Sequence, residues 1–411
     1  EICACLVGSE MCIRDRAFGY NPFLASWSPY HGAAYAVVDA AAKVVAAGAR
    51  YDKMRYSYQE YFERMTKSPR TWGKPLGALL GALKMQVELG LPSIGGKDSM
   101  SGTFEQINVP PMLMAFGITT VDAGRVISTD FKKAGHSIYL VRHTPLENHM
   151  PDTGALKRNF DFVSSAIESG KIVSGYAVGF GGVAEALAKM SFGNGIGADV
   201  KVDEATLFDN SYGSIVVEST EPLDFPAAEL LGHTEAEGAL TINGEKMPLE
   251  ELYRANTERF ATVYPDKGIN HAPVMEAMPA LRSFTYPGEA VERPVVFIPV
   301  FPGSNCDYDT AKAFRRAGAE VRSEVFCNLT AEAIFDSIRR MKEAIAACHI
   351  FVLCGGFSAG DEPDGSGKFI ATALRNPRIM EAIMNLLNKR DGLMLGICNG
   401  FQALIKLGLV P

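Results

Sequence analysis

Residues Gly392–Leu404 read GLMLGICNGFQAL. The apolar run predicts a strand and the residues after Cys398 predict a helix, so we expect Cys398 on a sharp strand-to-helix turn. A nucleophile on such a turn is held in a strained conformation, and its neighbours two positions away must be small, as Gly396 and Gly400 are. The N-terminus of the following helix also stabilises a thiolate. Without its context, a buried cysteine in an apolar strand is the simpler interpretation.

A second glycine loop supports the catalytic interpretation. Short apolar strands alternate with helices through residues 293–411, which predicts a parallel, doubly wound sheet. The segment Ile350–Asp361 (IFVLCGGFSAGD) ends its strand in Gly355-Gly356. In a parallel sheet this loop lies at the same carboxyl edge as Cys398. We therefore predict that the N–H groups of Gly355 and Gly356 form an oxyanion hole, with an ordinary strand-end turn as the alternative.

The residues before this region are predicted to form two further α/β units, 17–125 and 126–280, followed by a linker at 281–292. In the first unit, His31–Ala49 predicts a buried helix and Pro75–Gly90 predicts a second one. The second helix carries an apolar stripe on one face, which comprises Leu76, Leu79, Leu80, Leu83 and Val87.

The second of these units contains two clear local signals. A glycine turn at Gly179–Gly182 enters a helix, and Asn243-Gly244 is a typical β-hairpin turn. The inward face of that helix is predicted to comprise Val183, Ala186, Leu187 and Met190.

The composition excludes several classes of protein. The chain has 411 residues, a formal net charge of −7 and no long basic run, so nucleic acid is not an implied partner. Neither a membrane-spanning apolar stretch nor a secretory signal pattern is recognised. The eight cysteines form no CxxC pair and no cluster with zinc spacing. Reduced thiols in a cytoplasmic protein are the favoured interpretation.

Both ends of the sequence differ from the rest. The segment EICACLVGSEMCIRDR (Glu1–Arg16) shows no turn chemistry or clear period and is similar to translated sequencing adapter. We expect it to lie outside the fold, with a short native strand as the alternative. At the other end, the sequence stops 13 residues after Cys398, just as a strand–nucleophile–helix unit has begun. We therefore expect a fragment cut at both ends.

Three segments of the last region resemble successive motifs of one family of enzymes. They are VFPGSNCDYDTAKAFRRAGAEV, LCGGFSAGDEPDGSGKFIA and GLMLGICNGFQALIKLGLVP. They resemble the glutaminase domain of the phosphoribosylformylglycinamidine synthase family, a flavodoxin-like class I glutamine amidotransferase domain. The resemblance implies that Cys398 attacks the carboxamide of glutamine, releases ammonia and leaves a glutamyl thioester.

The same resemblance implies that the catalytic machinery is incomplete here. In the family, a His and a Glu that lie downstream of the nucleophile complete the triad. This chain has no His after His349, and neither His349 nor His271 has the right place. We therefore expect a truncated glutaminase domain, and the polypeptide alone is expected to have no appreciable glutaminase activity.

Residues 17–280 resemble the second of the family's two synthetase halves. Each half pairs an N-terminal-type and a C-terminal-type unit, as in aminoimidazole ribonucleotide synthetase, with α/β and α+β character. The motifs are SPYHGAAYAVVDAAAKVVAAGA, GLPSIGGKDSMSGTFE and GFGGVAEALAKMSFGNGIG. The resemblance implies a ligase of purine biosynthesis that uses ATP and Mg²⁺ to join ammonia to formylglycinamide ribonucleotide. The first synthetase half is then a missing partner, and the family's large single-chain form is usually a monomer.

The loop GGKDSMS is the best candidate for binding phosphate. Gly95 and Gly96 free backbone donors, Lys97 supplies positive charge and Ser99 supplies a hydroxyl. A surface turn with a solvated lysine is the alternative. In the family, this loop contributes to binding of nucleotide and substrate phosphate.

The magnesium site of this half departs from the family pattern. Asp39 stands where the family has Glu, Lys43 stands where it has Asn, and the turn Gly179–Gly182 carries no carboxylate. Because Mg²⁺ prefers hard oxygen ligands, we expect a degenerate nucleotide site, with Lys43 solvated on the helix surface. Asp39 and Asp98 remain the candidate metal ligands.

Two other functions stay open from the sequence. One is a different class I glutaminase-like hydrolase, against which residues 17–280 argue. The other is a shortened scaffold or binding protein that keeps the folds and has lost catalysis.

Overall fold

The computed structural model describes residues 12–264, 291–358 and 367–410, with side chains from residue 15 onward. The chain folds as two compact units, residues 1–271 and 272–411. Among the helices in the described ranges, none has the length and apolar character needed to cross a membrane.

The first unit begins with a four-stranded sheet and the helices that cover it. Its elements are β1 (Cys12–Gly19), α1 (Pro22–Trp27), α2 (Pro29–Ala46), β2 (Arg55–Tyr61), α3 (Pro69–Leu89), β3 (Ser93–Lys97), β4 (Thr103–Phe104), β5 (Ile107–Asn108) and β6 (Met112–Asp122). The sheet order is β1-β6-β2-β3. β6 runs antiparallel to both β1 and β2, whereas β2 and β3 are parallel and β4 and β5 form a small hairpin.

Helix α2 is the centre of this part of the fold. The Ser28 hydroxyl caps it by accepting a hydrogen bond from the His31 N–H, and Pro29 occupies its first position. Almost every later residue of the helix is buried, which is typical of a helix that is apolar on all sides. The predicted buried helix at His31–Ala49 is therefore confirmed.

Helix α3 buries the face opposite to its apolar stripe. The five stripe residues are between 46% and 71% exposed, whereas Ala78, Ala82 and Met85 are buried. A Cβ on Gly81 would lie 2.0 Å from the Tyr30 carbonyl oxygen. Because α3 approaches α2 this closely, the face of small residues turns inward and the leucine stripe faces away from the core.

The two faces of α3 predict different mutational effects. We expect Met85→Ala to lower the free energy of unfolding by about 2–5 kcal/mol because it opens a cavity in the core. The matched change Leu80→Ala, on the exposed stripe, is expected to change it by less than about 0.5 kcal/mol. Urea denaturation of the two variants measures the difference, and a larger loss for Leu80→Ala would reverse the assignment of the faces.

The rest of the first unit is built on a seven-stranded sheet. Its elements are β7 (Ser137–Val141), α4 (Thr153–Glu168), β8 (Ile172–Ala177), α5 (Gly182–Phe192), β9 (Gly197–Val200), α6 (Glu204–Leu207), β10 (Ile215–Ser219), β11 (Ala228–Glu235), β12 (Ala239–Ile242), β13 (Glu245–Pro248) and α7 (Leu249–Glu258). The order is β13-β12-β9-β11-β7-β10-β8, and only β12 and β9 are parallel.

Both local signals of this region are confirmed. Asn243 and Gly244 have φ of 52° and 88° and join β12 to β13 as a tight hairpin. The predicted inward residues of α5 are all fully buried, namely Val183, Ala186, Leu187 and Met190.

The start of the fold lies earlier than expected. Cys12–Arg16 belong to β1 and pair with β6, and the Asp15 side chain is 5% exposed. The expectation that residues 1–16 lie outside the fold is therefore wrong for these five residues, because the ladder continues through them. Residues 1–11 and most of the linker at 281–292 lie outside the described residues. The non-native origin of the first segment stays a prediction, and 125/126 remains our proposed boundary between the two sheets.

The second unit is a doubly wound α/β fold. Its elements are β14 (Val295–Val300), α8 (Asp307–Arg316), β15 (Glu320–Val325), α9 (Ala331–Ala347), β16 (Ile350–Leu353), α10 (Lys368–Leu374), α11 (Pro377–Lys389), β17 (Leu393–Gly396) and α12 (Asn399–Leu407). The four strands are parallel in the order β15-β14-β16-β17. This is the strand order of flavodoxin-like folds, as predicted.

Strand β17 is an outer strand of this sheet. Leu393 and Leu395 on the strand are 62% and 42% exposed, and Phe401 and Ile405 on α12 are 47% and 50% exposed. These residues form an apolar surface beside an unpaired strand edge within the described part of the chain.

Candidate active site

Cys398 joins β17 to α12 and adopts φ 51° and ψ −109°. A positive φ is costly for a residue with a Cβ and is tolerated where the surrounding structure enforces it. Two hydrogen bonds enforce it here: Ile397 N–H donates to the Leu353 carbonyl at 3.0 Å, and Gln402 N–H donates to the Cys398 carbonyl at 3.0 Å. The side chain is exposed and stands at the N-terminus of α12. The strained turn that the sequence predicts is present.

The two glycines flanking Cys398 are sterically required. A Cβ on Gly400 would lie 2.2 Å from the Leu353 carbonyl oxygen. A Cβ on Gly396 would lie 2.7 Å from Leu404 Cδ1 and 2.8 Å from the Phe401 nitrogen. The turn therefore packs so closely against its neighbours that only glycine fits at both positions.

Gly355 and Gly356 follow β16 and lie beside the elbow. A Cβ on Gly355 would be 3.3 Å from the Cys398 Cβ, and Gly356 has φ 137°. Within the described parts of the second unit, the N–H groups of these two glycines donate no hydrogen bond. The structure thus brings together the three residues that the sequence predicts for thiol chemistry and its oxyanion.

Two neighbours of the elbow were missed from the sequence. Asn399 is 2% exposed, and its Oδ1 accepts a hydrogen bond from the Ser358 N–H at 3.3 Å, which ties the elbow to the loop after β16. Cys306 also faces this point, with its sulfur 3.4 Å from where a Cβ on Gly355 would lie. Cys306 lies in the motif PGSNCD, which in the sequence indicated the family resemblance but not a position beside Cys398.

Among the described residues of the second unit, no histidine lies near Cys398. His349, the one histidine of residues 272–411, accepts a hydrogen bond at Nδ1 from the N–H of Val295, the first residue of β14. His349 is therefore at the amino edge of the sheet, opposite to the elbow. His271 lies outside the described residues.

The predicted phosphate loop is partly a strand. Gly95, Gly96 and Lys97 belong to β3 at the edge of the first sheet, because β3 continues the parallel ladder of β2. These three residues line a depression of about 380 Å³ together with Ser57 and Gln59. The fourth predicted residue, Ser99, is not part of this lining, and its hydroxyl is 2.8 Å from that of Ser101.

Asp39 does not fit the predicted metal site. Its Oδ2 accepts a hydrogen bond at 2.8 Å from Lys43, whose ammonium also donates to the Phe18 carbonyl and lies over the Phe18 ring. The sequence suggested that Lys43 is solvated on the helix surface, whereas its ammonium binds Asp39 and the Phe18 carbonyl. The second oxygen of Asp39 is buried without a hydrogen-bond partner. Mg²⁺ needs several oxygen ligands, and the ammonium of Lys43 beside Asp39 supplies none.

Asp98 has no supporting ligand set either. The described residues contain no group of three or more His, Cys, Asp or Glu side chains that could hold a metal ion. We therefore derive no step through Mg²⁺ at Asp39 or Asp98.

The buried Asp39 predicts a pH-dependent stability. Burial raises its pKa from 3.8 to about 6, with Lys43 partly offsetting this effect. Because the native state then binds more protons than the unfolded state between these values, the free energy of unfolding falls as the pH rises from about 4 to about 6. We expect Asp39→Asn, which can still accept from Lys43, to remove a penalty of up to about 3 kcal/mol above that range. Urea denaturation at several pH values tests this, and a pH-independent difference would contradict it.

Comparison with known proteins supports the glutaminase assignment. A family model described as a CobB/CobQ-like glutamine amidotransferase domain matches residues 293–411. A phosphoribosylformylglycinamidine synthase subunit PurQ of Dehalococcoides mccartyi is 37% identical over 110 residues, which are 27% of this chain and 38% of the relative. The PurQ subunit of Cereibacter sphaeroides is 40% identical over 111 residues, 27% of this chain and 41% of the relative.

A longer relative covers both units. A probable phosphoribosylformylglycinamidine synthase of Arabidopsis thaliana is 24% identical in an alignment 398 positions long that covers 81% of this chain and 27% of the relative. The chain therefore spans well under two thirds of the length of these curated relatives.

Solved structures share the fold. The PurLQS structure from Thermotoga maritima matches with a TM-score of 0.50 and 15% identity, over 69% of this chain and 48% of that one. Phosphoribosylformylglycinamidine synthase II from the same organism matches with a TM-score of 0.50 and 13% identity, over 95% of this chain and 70% of that one. The chain is therefore similar to phosphoribosylformylglycinamidine synthases, and its residues 293–411 match the model of a CobB/CobQ-like glutamine amidotransferase domain.

Proposed function

We propose that Cys398 is the glutaminase nucleophile of an ATP-dependent, glutamine-hydrolysing ligase that forms formylglycinamidine ribonucleotide. The observation that carries this proposal is the elbow itself: a non-glycine residue with φ 51°, held at a helix N-terminus beside Gly355. A thiol in this position is exposed to substrate while its backbone is fixed. The curated relatives, which are named phosphoribosylformylglycinamidine synthases, support the same chemistry.

The proposed reaction begins at the thiol of Cys398. Its sulfur attacks the amide carbon of glutamine, and the carbonyl oxygen takes up negative charge. The N–H groups of Gly355 and Gly356 are proposed to stabilise this oxyanion by donating hydrogen bonds to it. Collapse of the tetrahedral intermediate expels ammonia and leaves a glutamyl thioester, which water hydrolyses to glutamate.

The described residues of the second unit place no histidine where it could protonate the leaving ammonia. His349 lies at the opposite edge of the sheet, so it cannot reach the departing nitrogen. We therefore propose that the 411-residue chain alone has no appreciable glutaminase activity.

The first unit is proposed to serve the ligase step. In this step ATP activates the amide oxygen of formylglycinamide ribonucleotide by phosphoryl transfer, and ammonia displaces phosphate. The depression lined by Gly95, Gly96 and Lys97 is proposed to hold a phosphate group. A first synthetase half is proposed as the partner that completes this site. The unpaired state of the described cysteines agrees with a cytoplasmic location, which we also propose.

The sharpest test follows the nitrogen atom. The full-length protein is supplied with ATP, Mg²⁺, formylglycinamide ribonucleotide and glutamine whose side-chain amide carries heavy nitrogen. We expect the label in formylglycinamidine ribonucleotide, detected by mass spectrometry, and unlabelled product when ammonium replaces glutamine. Release of glutamate without any labelled product would instead favour a stand-alone glutaminase-like hydrolase, and no reaction with either nitrogen source would favour a scaffold.

A further inference from the structure

A second thiol, Cys306, faces the nucleophile across Gly355. The place where a Gly355 Cβ would stand is 3.3 Å from the Cys398 Cβ and 3.4 Å from the Cys306 sulfur. Both distances are measured from the same point, so the side chains of Cys306 and Cys398 are neighbours. Cys306 is half-buried, Cys398 is exposed, and neither is in a disulfide.

The backbone holds Cys306 in this place. Asn305 N–H donates to the Gly355 carbonyl at 3.3 Å, and Phe357 N–H donates to the Gly303 carbonyl at 2.8 Å. These bonds join the loop that carries Cys306 to the loop after β16. The Cys306 carbonyl then accepts a hydrogen bond from the Thr310 N–H at 3.1 Å, at the start of α8. The two thiols therefore approach each other from two fixed helix N-termini rather than from mobile loops.

We propose that Cys306 is a resolving thiol that protects oxidised Cys398 as a reversible disulfide. A hydroperoxide first oxidises the Cys398 thiolate to a sulfenic acid and is itself reduced, to water in the case of hydrogen peroxide. The Cys306 sulfur then attacks the Cys398 sulfur, the S–S bond forms, and the hydroxyl of the sulfenic acid leaves as water with the Cys306 proton. A dithiol reverses the modification by exchange. The proposal rests on the proposed nucleophilic character of Cys398.

The environment of Cys306 disfavours its own reaction with the oxidant. Burial, followed by the neighbouring Cys398, raises the pKa of the Cys306 thiol, and Asp307 and Asp309 add to the effect. Cys306 is thus kept as a thiol, which donates to Asn305 Oδ1 at 3.0 Å, and does not compete for the oxidant. The missing side chain at Gly355 leaves the path between the two sulfurs open. The pair would turn off ammonia release under oxidation without destroying the nucleophile.

The test is chemical and does not require glutamine turnover. The 411-residue chain is treated at low concentration with a small excess of hydrogen peroxide and analysed by peptide mass mapping under non-reducing conditions. We expect a linked pair of peptides containing Cys306 and Cys398, which a reducing agent separates. Because this readout needs no variant and no activity, it can fail while the proposed function stands, and the reverse also holds.

Two variants sharpen the result. In Cys306→Ser, we expect Cys398 to proceed to sulfinic acid, so that the fraction recovered by dithiothreitol falls about tenfold. Cys327→Ser, which removes an exposed thiol elsewhere, is expected to leave the linkage unchanged. Absence of the linked peptides in the unmodified chain, or a linkage of Cys398 to a cysteine other than Cys306, would overturn the proposal.

Discussion

Cys398→Ala is expected to abolish glutamine-dependent synthesis by the full-length enzyme while ammonium-dependent synthesis continues. The variant keeps the elbow but has no sulfur to form the thioester, so we expect a loss of roughly a thousandfold or more in the glutamine-dependent rate. The ammonium-dependent rate is expected to be unchanged, because that reaction bypasses the thiol. Product formation with each nitrogen source measures the two rates separately.

The matched control for this experiment is Cys327→Ala. Cys327 is an exposed thiol of the same unit that lies after β15 and outside the elbow. We expect both rates to be retained in this variant. Retention of the glutamine-dependent rate in Cys398→Ala would contradict the nucleophile assignment, and loss of both rates would indicate that the variant is misfolded rather than chemically disabled.

Glu218→Ala is expected to destabilise the first unit more than any surface change. Glu218 lies on β10 and its side chain is fully buried. Its carboxylate accepts hydrogen bonds from Lys132 N–H at 2.8 Å, Lys133 N–H at 3.2 Å, Ser174 Oγ at 2.9 Å and His136 Nδ1 at 2.7 Å. Removing the acceptor leaves these four donors unpaired, the buried Ser174 hydroxyl among them, so we expect a loss of about 3–5 kcal/mol in the free energy of unfolding.

Glu221→Ala is the control for this prediction. Glu221 lies two residues after β10, and its exposed carboxylate is 3.5 Å from the ammonium of Lys171. Because an exposed ion pair contributes little, we expect a change of less than about 1 kcal/mol. Both values come from urea denaturation at one pH. Similar losses in the free energy of unfolding for the two variants would show that the buried carboxylate does not stabilise this sheet.

The chemistry of the elbow could be predicted from the sequence because its requirements are local. A side chain at Gly396 or Gly400 would collide with residues close to Cys398 or with the adjacent strand. Both glycines can be read directly from the motif around Cys398. Strand alternation in residues 293–411 likewise predicts a parallel sheet, and this places Gly355 at the same edge as Cys398.

Features that depend on long-range packing could not be predicted. The leucine stripe of α3 faces away from the core, because the close approach of α2 at Gly81 selects small residues for the inward face. The Lys97 segment continues the β2 ladder rather than forming a loop, and sequence periodicity does not show pairing partners. Cys306 is about ninety positions before Cys398, so its place beside the nucleophile appears only in the folded chain.

Asp39 shows that a residue at a motif position does not by itself form a metal site. The family resemblance marks Asp39 and Lys43 as positions of metal ligands, but in this chain their side chains form an ion pair with each other. A carboxylate that already accepts a hydrogen bond from an ammonium at 2.8 Å is poorly suited to bind Mg²⁺. We therefore propose that magnesium–nucleotide binding by the whole enzyme does not depend on these two residues.

The most direct test of the central claim is covalent labelling of the full-length protein with an electrophilic glutamine analogue. Peptide mapping of the labelled protein locates the adduct. The elbow geometry predicts one adduct per chain, on Cys398, that excess glutamine prevents and that Cys398→Ala abolishes. An adduct on another residue, or labelling that persists unchanged in Cys398→Ala, would contradict the assignment of Cys398 as the glutaminase nucleophile.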